Sequence, residues 1–132
     1  MSLEPNATVL VVDDDDEIRH LVRGVLDRAG YQVLDTGDGD DAVRIAEEGR
    51  PDLVLLDLSM PGRDGLSVAS ELRERGGARA PVVVALSARH LPSDRERALA
   101  AGCSLFLTKP CPPSRLRQTV AALLAADSRH AS

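Results

Sequence analysis

Five side chains able to do chemistry stand at or just past the ends of short apolar runs. Asp13 and Asp14 follow Val9–Val12, and Asp57 follows Leu53–Leu56. Ser87 follows Pro81–Leu86, and Lys109 lies just beyond Leu105–Leu107. Each has a plain structural reading: an Asp after a strand often caps a helix, a Ser forms a turn, and a Lys is a solvated end. Taken together they describe a site. Three carboxylates on one rim resist joint ionisation unless a cation sits among them. Hard oxygen ligands with room for water suit Mg²⁺, which takes few carboxylates and keeps several waters. Three carboxylates, Mg²⁺ and the Lys109 ammonium sum to zero charge, a balance suited to an incoming phosphoryl group. In such a site an oxygen of Asp57 is the nucleophile and the product is an acyl phosphate.

The elements that must bring these residues together follow from the hydrophobic pattern. Short apolar runs bounded by turn signals read as strands buried on both faces. They fall at Val9–Val12, Leu53–Leu56, Pro81–Ser87 and Leu105–Leu107; Tyr31–Leu34 alternates more and suits a sheet edge. Between them lie amphipathic stretches. Ile18, Leu21, Val22, Val25, Leu26 and Ala29 follow helical spacing and predict one apolar face, with Gly30 as the stop. Asp15, Asp16 and Glu17 suit the positive end of that helix. Thr36–Gly39 reads as a loop and Ala42–Ala46 as a weaker helix closed by Gly49 and Pro51. A third helix spans about 66–75, with Leu66, Ala69 and Leu72 inward, and ends at Gly76-Gly77. A short polar helix covers Ser93–Ala101. The last begins at Pro112-Pro113 and buries Leu116, Val120, Leu123 and Leu124.

Strand and helix alternate five times and no turn joins two strands as a hairpin. That order predicts parallel strands, right-handed crossovers and helices on both faces, a doubly wound α/β sheet. In an open parallel sheet the functional crevice lies beyond the carboxyl ends of the strands, which is where the five residues fall. Asp35 and Thr36 end the edge strand and lie further off.

Composition narrows the class. The chain of 132 residues is one domain, with residues 1–7 a loose lead-in, 8–126 folded and 127–132 a tail. One Tyr, one Phe and no Trp leave a core of Val, Leu, Ile and Ala, so Tyr31 and Phe106 are worth locating. A net charge of −5 argues against a nucleic-acid surface. No apolar run is long enough to span a bilayer and no signal peptide is visible. Cys103 and Cys111 lack metal spacing and read as reduced thiols of a cytoplasmic protein. The start Met1-Ser2-Leu3 is either native or an expression remnant, and in the second case the chain is one domain of a longer protein. Residues 35–41 do not carry the spacing of a calcium loop.

The motifs Val9-Leu-Val-Val-Asp13-Asp14, Leu55-Leu-Asp57-Leu-Ser-Met-Pro61-Gly-Arg-Asp64-Gly65, Ala85-Leu-Ser87-Ala88, Ala100-Ala-Gly102 and Phe106-Leu-Thr-Lys109-Pro110 occur in order over about residues 8–126. With them the chain resembles the receiver domain of two-component response regulators. The resemblance implies a flavodoxin-like fold of five helices and five strands in the order 2-1-3-4-5, as in the family's chemotaxis members. It implies that Asp57 accepts a phosphoryl group from a sensor histidine kinase or a histidine phosphotransfer domain. Asp14 would be the direct Mg²⁺ ligand, Asp13 would act largely through water, and Asp57 and the Ser59 carbonyl would complete the metal set. Lys109 would pair with the phosphoryl group. Ser87 would act on it and, with Phe106, form the switch that alters partner binding on the face of the fourth helix, fifth strand and fifth helix. Lys109-Pro110 would be cis. The chain would catalyse only its own phosphorylation and dephosphorylation, and its output protein or effector domain is unspecified.

This sequence also departs from the family's pattern. Phe106 stands where Tyr is frequent, Ser104 and Leu105 where transcription-type members carry acids, and Cys111 where an aromatic is common. Leu105 reads equally as an exposed apolar spot or as packed inward. Arg89, two residues after Ser87, would reach over the phosphoryl group and affect its hydrolysis. His20, His90 and His130 stand at no strand end and have no catalytic assignment. Two rival readings exist. A Mg²⁺-dependent phosphatase with an Asp nucleophile wants a second Asp where Ser59 stands. A non-phosphorylated interaction module would be expected to have lost the acids or the Lys.

Overall fold

The computed structural model describes residues 7–88 and 91–127. Its elements are β1 (Thr8–Val12), α1 (Asp16–Arg28), β2 (Gln32–Thr36), α2 (Gly39–Gly49), β3 (Leu53–Asp57), α3 (Gly65–Gly76), a single 3₁₀ turn (Gly77–Arg79), β4 (Val82–Ser87), α4 (Pro92–Ala100), β5 (Leu105–Thr108) and α5 (Pro113–Ala126). The strands form one parallel sheet in the order β2-β1-β3-β4-β5. The expected fold class and strand order are both found. Among the described residues no helix is long and apolar enough to cross a membrane.

Side chains alternate between the faces of a strand, so continuous apolar runs feed two cores at once. Leu10, Val12, Val54, Leu56, Val83 and Ala85 face one layer, with residues of α2, α3 and α4 and with Phe106. Val9, Val11, Leu53, Leu55, Val84 and Leu86 face the other, with residues of α1 and α5 and with Tyr31. The two large aromatics thus serve opposite layers. Leu105 is partly buried against the second layer, which decides for inward packing.

The first helix buries less than its spacing predicts. Val22 and Leu26 are buried and Val25 and Ala29 partly so, but Ile18 is 41% and Leu21 55% exposed. At about 100° per residue Leu21 sits at the margin of the stripe centred on Val22 and Leu26. Ile18 lies within that stripe but in the first turn of the helix, past the end of β1.

Helix starts also differ from the pattern reading. α2 begins at Gly39 because Asp38 caps it, accepting the Asp41 N–H, so the expected loop is one turn shorter. α3 begins at Gly65 because Asp64 caps it, accepting the Leu66 N–H. Asp64-Gly65 is therefore a helix start as well as a chain reversal. Asp15 caps α1 through the N–H groups of Glu17 and Ile18, with Asp16 and Glu17 in the first turn.

Candidate functional site

β1 and β3 are register neighbours, Val12 opposite Leu56, so Asp13 and Asp57 emerge side by side at the centre of the sheet. Both are buried, at 4% and 2% exposure. Asp14, one residue on, is exposed. Carboxylate oxygens of Asp13, Asp14 and Asp57 lie within 4.8 Å of one another. One oxygen of Asp57 accepts the Ser59 N–H at 2.8 Å, and the other accepts from Lys109 Nζ at 3.0 Å. Asp13 Oδ1 accepts the Asp15 N–H at 2.9 Å, and Asp13 Oδ2 lies 3.4 Å from Lys109 Nζ.

One ammonium thus faces two buried carboxylates. Burial pushes the Asp13 carboxyl above its ordinary value, and the Asp15 N–H and the nearby Lys109 offset this only in part. Burial pulls the Lys109 ammonium down, but the hydrogen bond and charge of Asp57, with those of Asp13, outweigh it and leave Lys109 raised. Lys109 is held as a cation, while Asp13 still carries a costly charge. Three hard oxygen donors, two buried and one open to water, are the donor set of a Mg²⁺ ion, and the residues fit that group.

The outer strands bring the remaining groups. Ser87 is the last residue of β4 and is buried, paired in register with Thr108. Its carbonyl accepts the Lys109 N–H at 2.8 Å, and the Lys109-Pro110 peptide is cis. The Leu58 N–H donates to the Leu86 carbonyl, extending the β3–β4 pairing past Asp57. Ser59 is exposed; its N–H holds Asp57, and its hydroxyl lies 3.4 Å from the Ala88 N–H, linking the loops after β3 and β4. Phe106 lies in the core layer with Ala98, Ala101 and Cys103, beneath the rim and not on it. His20 is exposed on α1. Arg89, His90 and His130 lie outside the described residues.

A cleft of about 670 Å³ lies elsewhere among the described residues. Val43, Glu47, Pro51, Leu72, Arg75 and Pro81 line it, near the amino ends of β3 and β4. None of Asp13, Asp14 and Asp57 lines it, and the exposed Asp14 opens their rim to solvent.

Two arginines that support this rim carried no sequence signal. Arg19 donates to the Asp13 carbonyl at 2.8 Å from a side chain only 13% exposed. Arg63, in the loop after Asp57, pairs with Asp40 of α2 and Glu71 of α3 and donates to the Ser67 hydroxyl. Glu71 is held below its ordinary value, first by Arg63 and then by Arg75. A guanidinium on a polar helix face or in a loop looks solvated in sequence, and only the fold shows what it reaches. Gly65 is a further supporting position, since a Cβ there would stand 3.0 Å from Leu58 Cα and 3.3 Å from the Asp57 carbonyl oxygen.

A parallel sheet with acids at the ends of β1 and β3 and a Lys at the end of β5 defines a class, and comparison with known proteins gives the same one. The family model "Response regulator receiver domain" matches residues 9–121, and the chain belongs to that family. It is a receiver domain of two-component response regulators, a signalling domain. It is 37% identical over 116 residues to the transcriptional regulatory protein ResD of Bacillus subtilis, covering 88% of this chain and 47% of ResD. It is 32% identical over 117 residues to the polar-differentiation response regulator DivK of Brucella anthropi, covering 89% of this chain and 95% of DivK. The chemotaxis protein CheY4 of Vibrio cholerae superposes with a TM-score of 0.84 at 30% identity, covering 90% of this chain and 99% of CheY4. The chain spans about half the length of the transcriptional regulators it matches.

Proposed function

We propose that Asp57 is the phosphoacceptor of a Mg²⁺-dependent receiver whose donor is a sensor histidine kinase or a histidine phosphotransfer domain. The observation that carries this reading is the convergence of three carboxylates and Lys109 on one open rim. An oxygen of Asp57 attacks phosphorus. The phosphorus–nitrogen bond of the donor phosphohistidine breaks as the phosphorus–oxygen bond forms, and the leaving imidazole nitrogen takes up a proton. Asp57 starts as a carboxylate aligned by the Ser59 N–H, so no base is needed to activate it. Lys109 shifts from the carboxylate to a phosphoryl oxygen. Asp13, Asp14, Asp57 and the Ser59 carbonyl would hold the metal. When bound, Mg²⁺ neutralises charge on the phosphoryl oxygens.

Phosphorylation adds roughly −1.5 to −2 charge at neutral pH in other phospho-residues, and an acyl phosphate is similar. The Ser87 hydroxyl then turns to a phosphoryl oxygen and Phe106 follows, changing the partner affinity of the α4–β5–α5 face. This is a population shift within one fold. The protein acts in the cytoplasm on no substrate but its own acyl phosphate, with residues 8–126 as the receiver. Arg89 influences the water that hydrolyses this phosphate. The output is an effector domain or a separate protein.

The test is to incubate the chain with acetyl phosphate and Mg²⁺ and measure acid-labile phosphate. Labelling should require Mg²⁺ and disappear in Asp57→Asn. Labelling that persists in Asp57→Asn overturns the assignment.

A further inference from the structure

Asp14 is the exposed member of the carboxylate group, and no hydrogen bond from a described residue fixes its side chain. Its direction is therefore set by its backbone, and above all by the peptide joining it to Asp13. The groups on either side of that peptide are hydrogen-bonded, and its own carbonyl is held by Arg19. The Asp13 N–H donates to the Thr36 carbonyl at 3.1 Å, and Asp13 Oδ1 accepts the Asp15 N–H at 2.9 Å. The Asp13 carbonyl accepts from Arg19 Nη1 at 2.8 Å.

Arg19 spends its whole guanidinium on this corner. Nη2 pairs with Asp16 at 2.7 Å and Nε with Asp35 at 3.3 Å. Asp35 also pairs with Arg23, so its end of the contact is anchored from a second side. Gly37 leaves the space Arg19 needs: a Cβ there would stand 3.1 Å from Nη1 and 3.5 Å from both the Asp13 carbonyl oxygen and Asp14 Cα. A bond from a charged donor is stronger than a neutral one, and a planar fork fixes direction as well as distance.

We propose that Arg19 is a positioning residue for the divalent-cation site: it locks the Asp13–Asp14 peptide so that the Asp14 carboxylate is held over Asp57. This rests on the acceptor reading given above. Its effect falls on cation affinity and not on phosphoryl transfer once the cation is bound. Simple charge predicts the opposite sign. Arg19 is a cation near the site, and removing it would strengthen cation binding if electrostatics ruled. Pairing with Asp16 and Asp35 already neutralises most of that charge, so the geometric effect dominates.

The test measures Mg²⁺ affinity by calorimetry on the whole chain, without a phosphoryl donor. Arg19→Ala should raise the Kd about tenfold, as loss of a partner that orients a metal ligand commonly does. Arg19→Lys keeps the charge but lacks the planar fork that spans these three separated acceptors from three nitrogens, and should fall between. Gly37→Ala keeps Arg19 and crowds Nη1, and should also raise the Kd; it stands in should Arg19→Ala fail to fold. Acetyl phosphate labelling of Arg19→Ala should return to the wild-type rate at saturating Mg²⁺. Unchanged or tighter binding in Arg19→Ala and Gly37→Ala overturns the proposal, as does slow labelling that excess Mg²⁺ does not restore. Wild-type chain that binds no Mg²⁺ sinks the acceptor reading itself, and this inference with it.

Discussion

Lys109 Nζ donates to Asp57 Oδ2 at 3.0 Å, joining the end of edge strand β5 to the end of central strand β3 across the whole width of β4. Asp57 is almost wholly buried, so this ammonium both offsets its charge and stands where a phosphoryl oxygen would arrive. Lys109→Ala should slow labelling by acetyl phosphate by about 10², the scale of losing one preorganised charge-stabilising donor. It should also lower stability by roughly 1 kcal/mol, since two buried carboxylates lose their cation but the site is partly open to water. Labelling time courses and urea titrations give the two numbers. A labelling rate equal to wild type would remove Lys109 from the chemistry.

Gly65→Ala should disturb the acceptor loop from the helix side. The new methyl meets Leu58 Cδ2 at 2.8 Å and Leu58 Cα at 3.0 Å, and the second of these is backbone that cannot swing aside. The cost should be about 1–3 kcal/mol in urea denaturation, with slower labelling. Gly62→Ala makes the contrast: no atom lies within 4 Å and only its positive φ is strained. That variant should lose about 1 kcal/mol and keep its labelling rate.

Leu55→Ala and Leu21→Ala separate the buried from the exposed part of the apolar pattern. Leu55 is 1% exposed in the middle of β3, and its truncation should cost about 2–5 kcal/mol. Leu21 is 55% exposed, and its truncation should stay within about 0.5 kcal/mol. Equal losses in thermal or urea unfolding would put Leu21 back in the core.

The two thiols should differ in reactivity. Burial pushes Cys103 up to about 11, and it pushes the half-buried Cys111 up as well, with Arg115 pulling the other way. At pH 8 a thiol reagent should modify Cys111 first and reach Cys103 only on unfolding. The folded form favours protonated Cys103, so its contribution to stability is complete below the ordinary thiol value of 9.0 and is lost as pH rises towards about 11. Rapid labelling of both thiols in the folded protein would contradict the burial of Cys103.

Much of this was legible in the sequence because burial on both faces leaves an unbroken apolar run, and such runs marked the strands. Their ends then marked Asp13, Asp14, Asp57, Ser87 and Lys109. Less was legible where an effect depends on what a side chain meets across the fold. The spacing that put Ile18 and Leu21 inward does not show that α1 starts past the end of β1. The Asp38 cap lengthens α2 through one side-chain bond that competes with a loop. The 3₁₀ turn at Gly77–Arg79 hides behind two glycines that read as a stop. Arg19 and Arg63 resemble solvated charges until Asp13, Asp35, Asp40 and Glu71 are placed around them.

The strand order divides the site mechanically. Asp13, Asp14 and Asp57 issue from β1 and β3, each with a strand on both sides, whereas Lys109 issues from β5, four residues long with one neighbour. Backbone amides of β1 and β3 should exchange with solvent only through global unfolding, and those of β5 through smaller, more frequent openings. The three carboxylates are thus mounted on the stiff half of the sheet, and the ammonium that faces them is mounted on the compliant half. If Asp57 accepts a phosphoryl group as proposed, the change of charge at the stiff centre should appear as displacement at the edge, where the fold yields at least cost.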